Sequence, residues 1–193
     1  MSKHIIVFLL IALVGCKSRN ANTGLQQPWK LESITALDLS ENRSVLSTKN
    51  DEILVSIFFG TEIEDKWYFN GYYLDQIVFD SLHQTKYFDD IDLSTKGPCD
   101  HCEVWICLTE IDDDNSEDST HNKLLSLINE KGYNALESKS KVDAIIKDND
   151  FLGYIKVPYY VENIDTNFYI SGSDLLDKYT YRVKISSTSS RLD

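Results

Sequence analysis

The chain is short of basic charge. Its 193 residues carry 19 Lys and Arg against 31 Asp and Glu, a formal net charge of −12. Phosphate neutralisation needs clustered cations, so nucleic acid is excluded as a partner. Catalytic signatures are also missing: the sequence has no Gly-x-Ser-x-Gly, no His-Glu-x-x-His and no glycine-rich phosphate loop. His83, His101 and His121 stand outside any recognised pattern. Scattered acids could pair for glycoside hydrolysis, but such pairs arise by chance in so acidic a chain. A hydrolase is therefore the minor alternative and a non-enzyme the expectation. No solenoid-like repeat is visible, and after Val14 no stretch is apolar enough to cross a bilayer.

What is present begins with an address. Lys3 precedes an apolar run from Ile5 to Val14 that is too short for a permanent membrane span and ends in small residues, which reads as a signal peptide over residues 1–15. Leu13-Val14-Gly15-Cys16 resembles the cleavage box of bacterial lipoproteins, in which the cysteine becomes the acylated first residue of the mature protein. The resemblance implies lipidation of Cys16, for example with palmitate, and anchorage in the bacterial cell envelope on the periplasmic side of the outer membrane. Residues 16–27 are polar and aperiodic and read as a tether. The rest, residues 28–188, suits one domain with one sizeable core.

Short strand-like segments dominate that domain. Trp29 to Leu37 alternates weakly, whereas Ile53 to Phe59 (ILVSIFF) is β-branched and aromatic, as a buried strand should be. Trp67 to Asp80 reads as a hairpin turning at Asn70-Gly71. Glu103 to Ile111 alternates cleanly and places Val104, Ile106 and Leu108 on one face. Late strands follow at Tyr154 to Val157 and Tyr179 to Ile185. Seven to eight strands of this kind predict an all-β fold, an antiparallel β-sandwich. His121 to Gly132 departs from the pattern: Leu124, Leu125 and Ile128 have helical spacing, and a glycine suited to the C′ position closes the run. From there to Lys147 the periodicity leaves helix and strand both open. Residues 115–147 read as an insertion between two strands.

Acids gather where loops of a sandwich could meet: Asp38, Asp51 with Glu52, Glu110 with Asp112, Asp113 and Asp114, and Asp148 with Asp150. Calcium takes about six to eight oxygen ligands, largely carboxylates and carbonyls, so a shared rim of such loops is a candidate cation site. The plainer account is that acidity keeps the protein soluble. The order of motifs, Asn50-Asp51-Glu52-Ile53-Leu54-Val55, then Glu110-x-Asp112 or Asp112-x-Asp114, then Asp150-Phe151-Leu152-Gly153-Tyr154-Ile155-Lys156-Val157-Pro158, resembles that of the C-two domain, a calcium- and phospholipid-binding β-sandwich. The resemblance implies calcium as cofactor, held by Asp38, Asp51, Glu110, Asp112, Asp114, Asp148 and Asp150, with a phospholipid headgroup or a protein as partner. Two departures stand against it: the family's Pro-Tyr is absent after Asp51, and the insertion falls in the loop that would complete the metal site.

Cys99-Asp100-His101-Cys102 is a second candidate. In an oxidising compartment a disulfide between Cys99 and Cys102 is the expected outcome. Zinc held with His83 or His121 lacks a second paired motif. A redox role wants the cysteine pair at a helix start, and here it precedes a strand. Cys107 reads as a small core hydrophobe.

Two function classes follow. One is a lipid-tethered binding module whose acidic loops hold calcium and through it a phosphate headgroup or a protein. The other is a metal-independent envelope protein that binds a partner through its helical insertion.

Overall fold

A computed structural model describes residues 29–39, 50–93, 102–112, 116–147, 149–158, 165–173 and 178–187. The signal peptide, the tether, Cys16, Cys99, Asp114 and Asp148 lie outside these residues.

The described residues form eight strands: β1 (Trp29–Asp38), β2 (Asp51–Ile63), β3 (Lys66–Phe79), β4 (Thr85–Asp92), β5 (Cys102–Glu110), β6 (Asp150–Pro158), β7 (Asp165–Ser173) and β8 (Lys178–Ser187). They pair antiparallel into two four-stranded sheets, ordered β4-β1-β8-β7 and β3-β2-β5-β6. Between β5 and β6 the chain forms α1 (Glu117–Lys131), a 3₁₀ turn (Gly132–Asn134) and α2 (Lys139–Ile146). The fold is the expected all-β antiparallel sandwich with a helical insertion.

The main core lies between the sheets. Ile53, Val55 and Ile57 of β2 and Val104, Ile106 and Leu108 of β5 point inward and meet Leu31, Ile34, Val183 and Ile185. Each such burial stabilises by about 1.5–3 kcal/mol.

A second core covers the other side of the β3-β2-β5-β6 sheet. Phe58, Phe69, Trp105 and Cys107 pack there against Leu124, Leu127 and Ile128 of α1 and Val142 and Ile146 of α2. The molecule therefore has three layers, and its central sheet is buried on both faces. This explains the run ILVSIFF, apolar apart from Ser56, whose hydroxyl is paired with His121: a strand covered on both sides has no solvent face to alternate with.

Helix α1 begins at Glu117, earlier than its apolar stripe alone suggests, and its acidic first turn, Glu117 and Asp118, suits the positive end of the helix dipole. At the other end the N–H of Gly132 (φ 65°) bonds to the Ile128 carbonyl, the stop read from the sequence.

The expected hairpin at Asn70-Gly71 is corrected. Both residues lie inside the continuous strand β3, with Gly71 opposite Phe58. The reversal occurs at Glu64 and Asp65, whose φ angles of 51° and 61° give the two-residue primed turn between β2 and β3. Gly71 serves close approach instead: a Cβ there would sit 2.1 Å from the Ile57 carbonyl oxygen. The sequence signal for a turn and that for backbone crowding are the same residue.

Candidate functional site

Strand direction decides where the acids lie. β1 ends at Asp38, β2 starts at Asp51, β5 ends at Glu110 and β6 starts at Asp150. Pairing of Glu110 with both Ile53 and Asp150, and of Asp38 with Thr180, sets these positions on one rim. The Tyr181 hydroxyl donates to the Asp51 carboxylate across the two sheets and fixes that end of the sandwich.

The side chains at this rim have other commitments. Asp51 is fully buried beneath Tyr181, and Glu110 is buried. Asp150 faces Lys139 Nζ at 3.6 Å, and the same ammonium donates to Asp143 at 2.9 Å. Asp112 is exposed, and its backbone N–H donates to Asn149 Oδ1 at 2.9 Å. Among the described residues no group of three or more His, Cys, Asp or Glu is placed to hold a metal ion. These carboxylates alone do not form a calcium cage; Asp114 and Asp148 lie outside the described residues.

Asn149, which the sequence reading passed over, organises the same corner. It is buried, and besides accepting from Asp112 its amide donates to Ser116 Oγ at 2.8 Å and Thr120 Oγ1 at 2.9 Å. One side chain thus ties the exit of β5, the start of α1 and the start of β6 together. A buried amide so fully used is costly to replace.

Cys102 is disulfide-bonded, while its expected partner Cys99 lies outside the described residues. Cys107 is a free, fully buried thiol in the second core, and burial pushes its pKa far up, which makes it inert.

His121 is buried between α1 and the central sheet. Its ring stacks on Phe58 at 5.0 Å, its Nδ1 lies 3.1 Å from Ser56 Oγ, and the Gly71 backbone hydrogen-bonds it. Burial pulls its pKa below the ordinary histidine value, opposed by the Asp118 charge and the Gly71 bond. A Ser–His pair is the start of a nucleophilic site, but both members are sealed under Phe58 and Tyr73, out of a substrate's reach.

A cleft opens instead where β6, at the edge of one sheet, meets β7, at the edge of the other. It has a volume of about 490 Å³. Its lining includes Tyr154, Tyr169, Glu137, Ser171, Ser173, Gly153 and Gly172. Gly153 has φ 142°, and a Cβ there would come within 2.8 Å of Ile170 Cγ2, so only glycine lets the two sheets close at this point. The Tyr179 hydroxyl donates to the Leu152 carbonyl at 2.7 Å, and Asp143 accepts from the Phe151 N–H at 2.8 Å. Both bonds cover the otherwise open start of β6.

No family model matches the chain, and neither a curated protein nor a solved structure matches it.

Proposed function

We propose that the chain is a lipid-anchored binding module of the bacterial cell envelope, held by acylated Cys16 and presenting its acidic rim and the β6–β7 cleft away from the membrane. The observation that carries this reading is the direction of β1. Trp29 stands two positions after the last residue of the tether, and Asp38 ends the same strand on the acidic rim. Nine residue steps of about 3.3 Å separate them by roughly 30 Å.

A polar tether over residues 16–27 has a typical reach of about 20 Å, from roughly 5–6 Å times the square root of its length. Bringing the acidic rim onto the headgroups of the same bilayer would require the domain to invert on a nearly straight tether. A ligand or protein held out from the membrane needs no such inversion. The proposed role is therefore capture of a partner beyond the lipid surface.

The anchor is tested by labelling cells with an alkyne palmitate. The wild-type protein is expected to carry the label and sediment with membranes, and Cys16→Ser to lose both. An unlabelled wild-type protein would remove the premise.

A second reading adds calcium, as the resemblance to a C-two domain implies, and is favoured by the placement of Asp38, Asp51, Glu110 and Asp150 on one rim. Calorimetry with calcium separates the two. On the calcium reading, heat is released and the melting temperature rises, and both effects disappear in Asp150→Asn, whose carboxylate is half exposed on the rim. On the metal-independent reading, millimolar calcium changes neither.

A further inference from the structure

The cleft between β6 and β7 has a composition that selects its ligand. Two aromatic rings flank it from opposite sheets. Tyr154 stands on the helix-covered face of the central sheet, stacked on buried Trp105 at 5.5 Å and 28°. Lys156 Nζ caps the Trp105 ring at 4.5 Å. Tyr154 is therefore backed by a rigid stack. Tyr169 stands on the open face of the other sheet, opposite Arg182, and is 58% exposed. Large exposed aromatic surface with one polar tip is what ligand sites offer for stacking.

The polar groups are a carboxylate, hydroxyls and one paired cation. Glu137 is an exposed carboxylate acceptor, and Ser171 and Ser173 contribute exposed hydroxyls. The cation of the cleft, Lys139, is held by Asp143 at 2.9 Å and Asp150 at 3.6 Å. An anionic ligand would thus meet Glu137 and a lysine already neutralised, and the guanidinium beside Tyr169, Arg182, already donates to the Thr35 hydroxyl. A purely apolar ligand would cover the carboxylate and hydroxyls without replacing their hydrogen bonds to water. A sugar satisfies both halves, because its C–H face lies on aromatic rings and its hydroxyls donate to carboxylate and accept from serine. A volume of about 490 Å³ lies in the range of small-ligand sites.

We propose that the β6–β7 cleft binds a neutral oligosaccharide, stacked on Tyr169 and Tyr154 and hydrogen-bonded to Glu137. The proposal deepens the binding-module reading and rests on it, yet the two fail separately, because acylation of Cys16 is read without any sugar.

The experiment is a two-dimensional NMR titration of the isotope-labelled protein with maltotetraose, cellotetraose and chitotetraose, with sialyllactose as the anionic control. At least one neutral tetrasaccharide is expected to shift the amides of Gly153, Ser171 and Gly172 with millimolar affinity. Tyr169→Ala should weaken that binding about tenfold or more, and Glu137→Gln should weaken it less. Tyr169 is exposed, so an unchanged spectrum elsewhere shows that the variant is folded. The proposal is overturned if no neutral sugar shifts these amides, if Tyr169→Ala binds as well as wild type, or if sialyllactose alone binds. It is also overturned if an extended Thr-Val peptide shifts the β6 and β7 amides where the sugars do not, since the cleft would then pair with a strand.

Discussion

The Asn129 side chain pairs with the backbone of Phe69 as a neighbouring strand would. Phe69 N–H donates to Asn129 Oδ1 at 2.8 Å, and Asn129 Nδ2 donates to the Phe69 carbonyl at 3.0 Å. β3 is an edge strand, and edges invite pairing with other chains. A helix side chain here closes the edge and docks α1 in one contact. Asn129→Ala is expected to cost about 1–3 kcal/mol, since two backbone groups lose their partner. Asn129→Asp should be no better, because it removes the donor and sets a charge against a carbonyl. Urea unfolding of the three proteins decides this; an Asp variant as stable as wild type would count against the bidentate pairing.

His121 gives stability a pH dependence. Its pKa is lowered in the folded protein, chiefly by burial, so the unfolded chain binds the proton more readily. Stability from this group is complete above the ordinary histidine value of about 6.5 and falls as pH drops below it. The groups facing the ring are Ser56, Phe58, Tyr73 and, from its own helix, Asp118. His121→Gln keeps a donor and an acceptor but cannot titrate, so its midpoint of unfolding should vary less between pH 7 and pH 5 than that of wild type. An equal slope in both would assign the dependence to other groups.

Strand patterning accounts for how much of this architecture was legible. Val104, Ile106 and Leu108 announced the inner face of β5, and Gly132 marked the end of α1. The rim shared by Asp38, Asp51, Glu110 and Asp150 also followed from strand order. The third layer did not, because Phe58 and Trp105 fill positions that a sequence cannot distinguish from ordinary strand hydrophobes until helices are seen above them. The cleft was equally hidden. Tyr154 comes from β6, Tyr169 from β7 and Glu137 from the turn before α2, and only the folded chain brings them together. Asn149 was read past between two aspartates because a buried amide carries no periodicity of its own.

Asp51 and Tyr181 join the sheets through one hydrogen bond inside the core. Tyr181→Phe keeps the ring, which lies 5.8 Å from Phe79, and deletes one donor to a buried carboxylate. The expected loss is about 1–3 kcal/mol. Asp51→Asn in the Phe background should recover part of that loss, because an amide tolerates burial without a strong donor better than a charge does. A double-mutant cycle by chemical denaturation measures the coupling, and additivity of the two changes would show that the hydroxyl and carboxylate act independently.

Gly71 separates the turn from the strand by mutation alone. At the tip of a two-residue hairpin, Asn or Asp replaces glycine at small cost, since both tolerate positive φ. In β3, any side chain at this position meets the Ile57 carbonyl oxygen at 2.1 Å and the Phe58 ring at 2.8 Å. Backbone on the central strand cannot retreat without breaking its ladder to β5. Gly71→Ala and Gly71→Asn are therefore both expected to destabilise by about 1–3 kcal/mol or more, in the range of overpacked cores. Asp65→Gly, at the actual turn where φ is 61°, should be neutral or slightly stabilising because glycine accepts that conformation freely. Thermal melts of the three variants test the assignment: if Gly71→Asn were tolerated and Asp65→Gly were damaging, the reversal would belong at Asn70-Gly71 and β3 would have to be broken there.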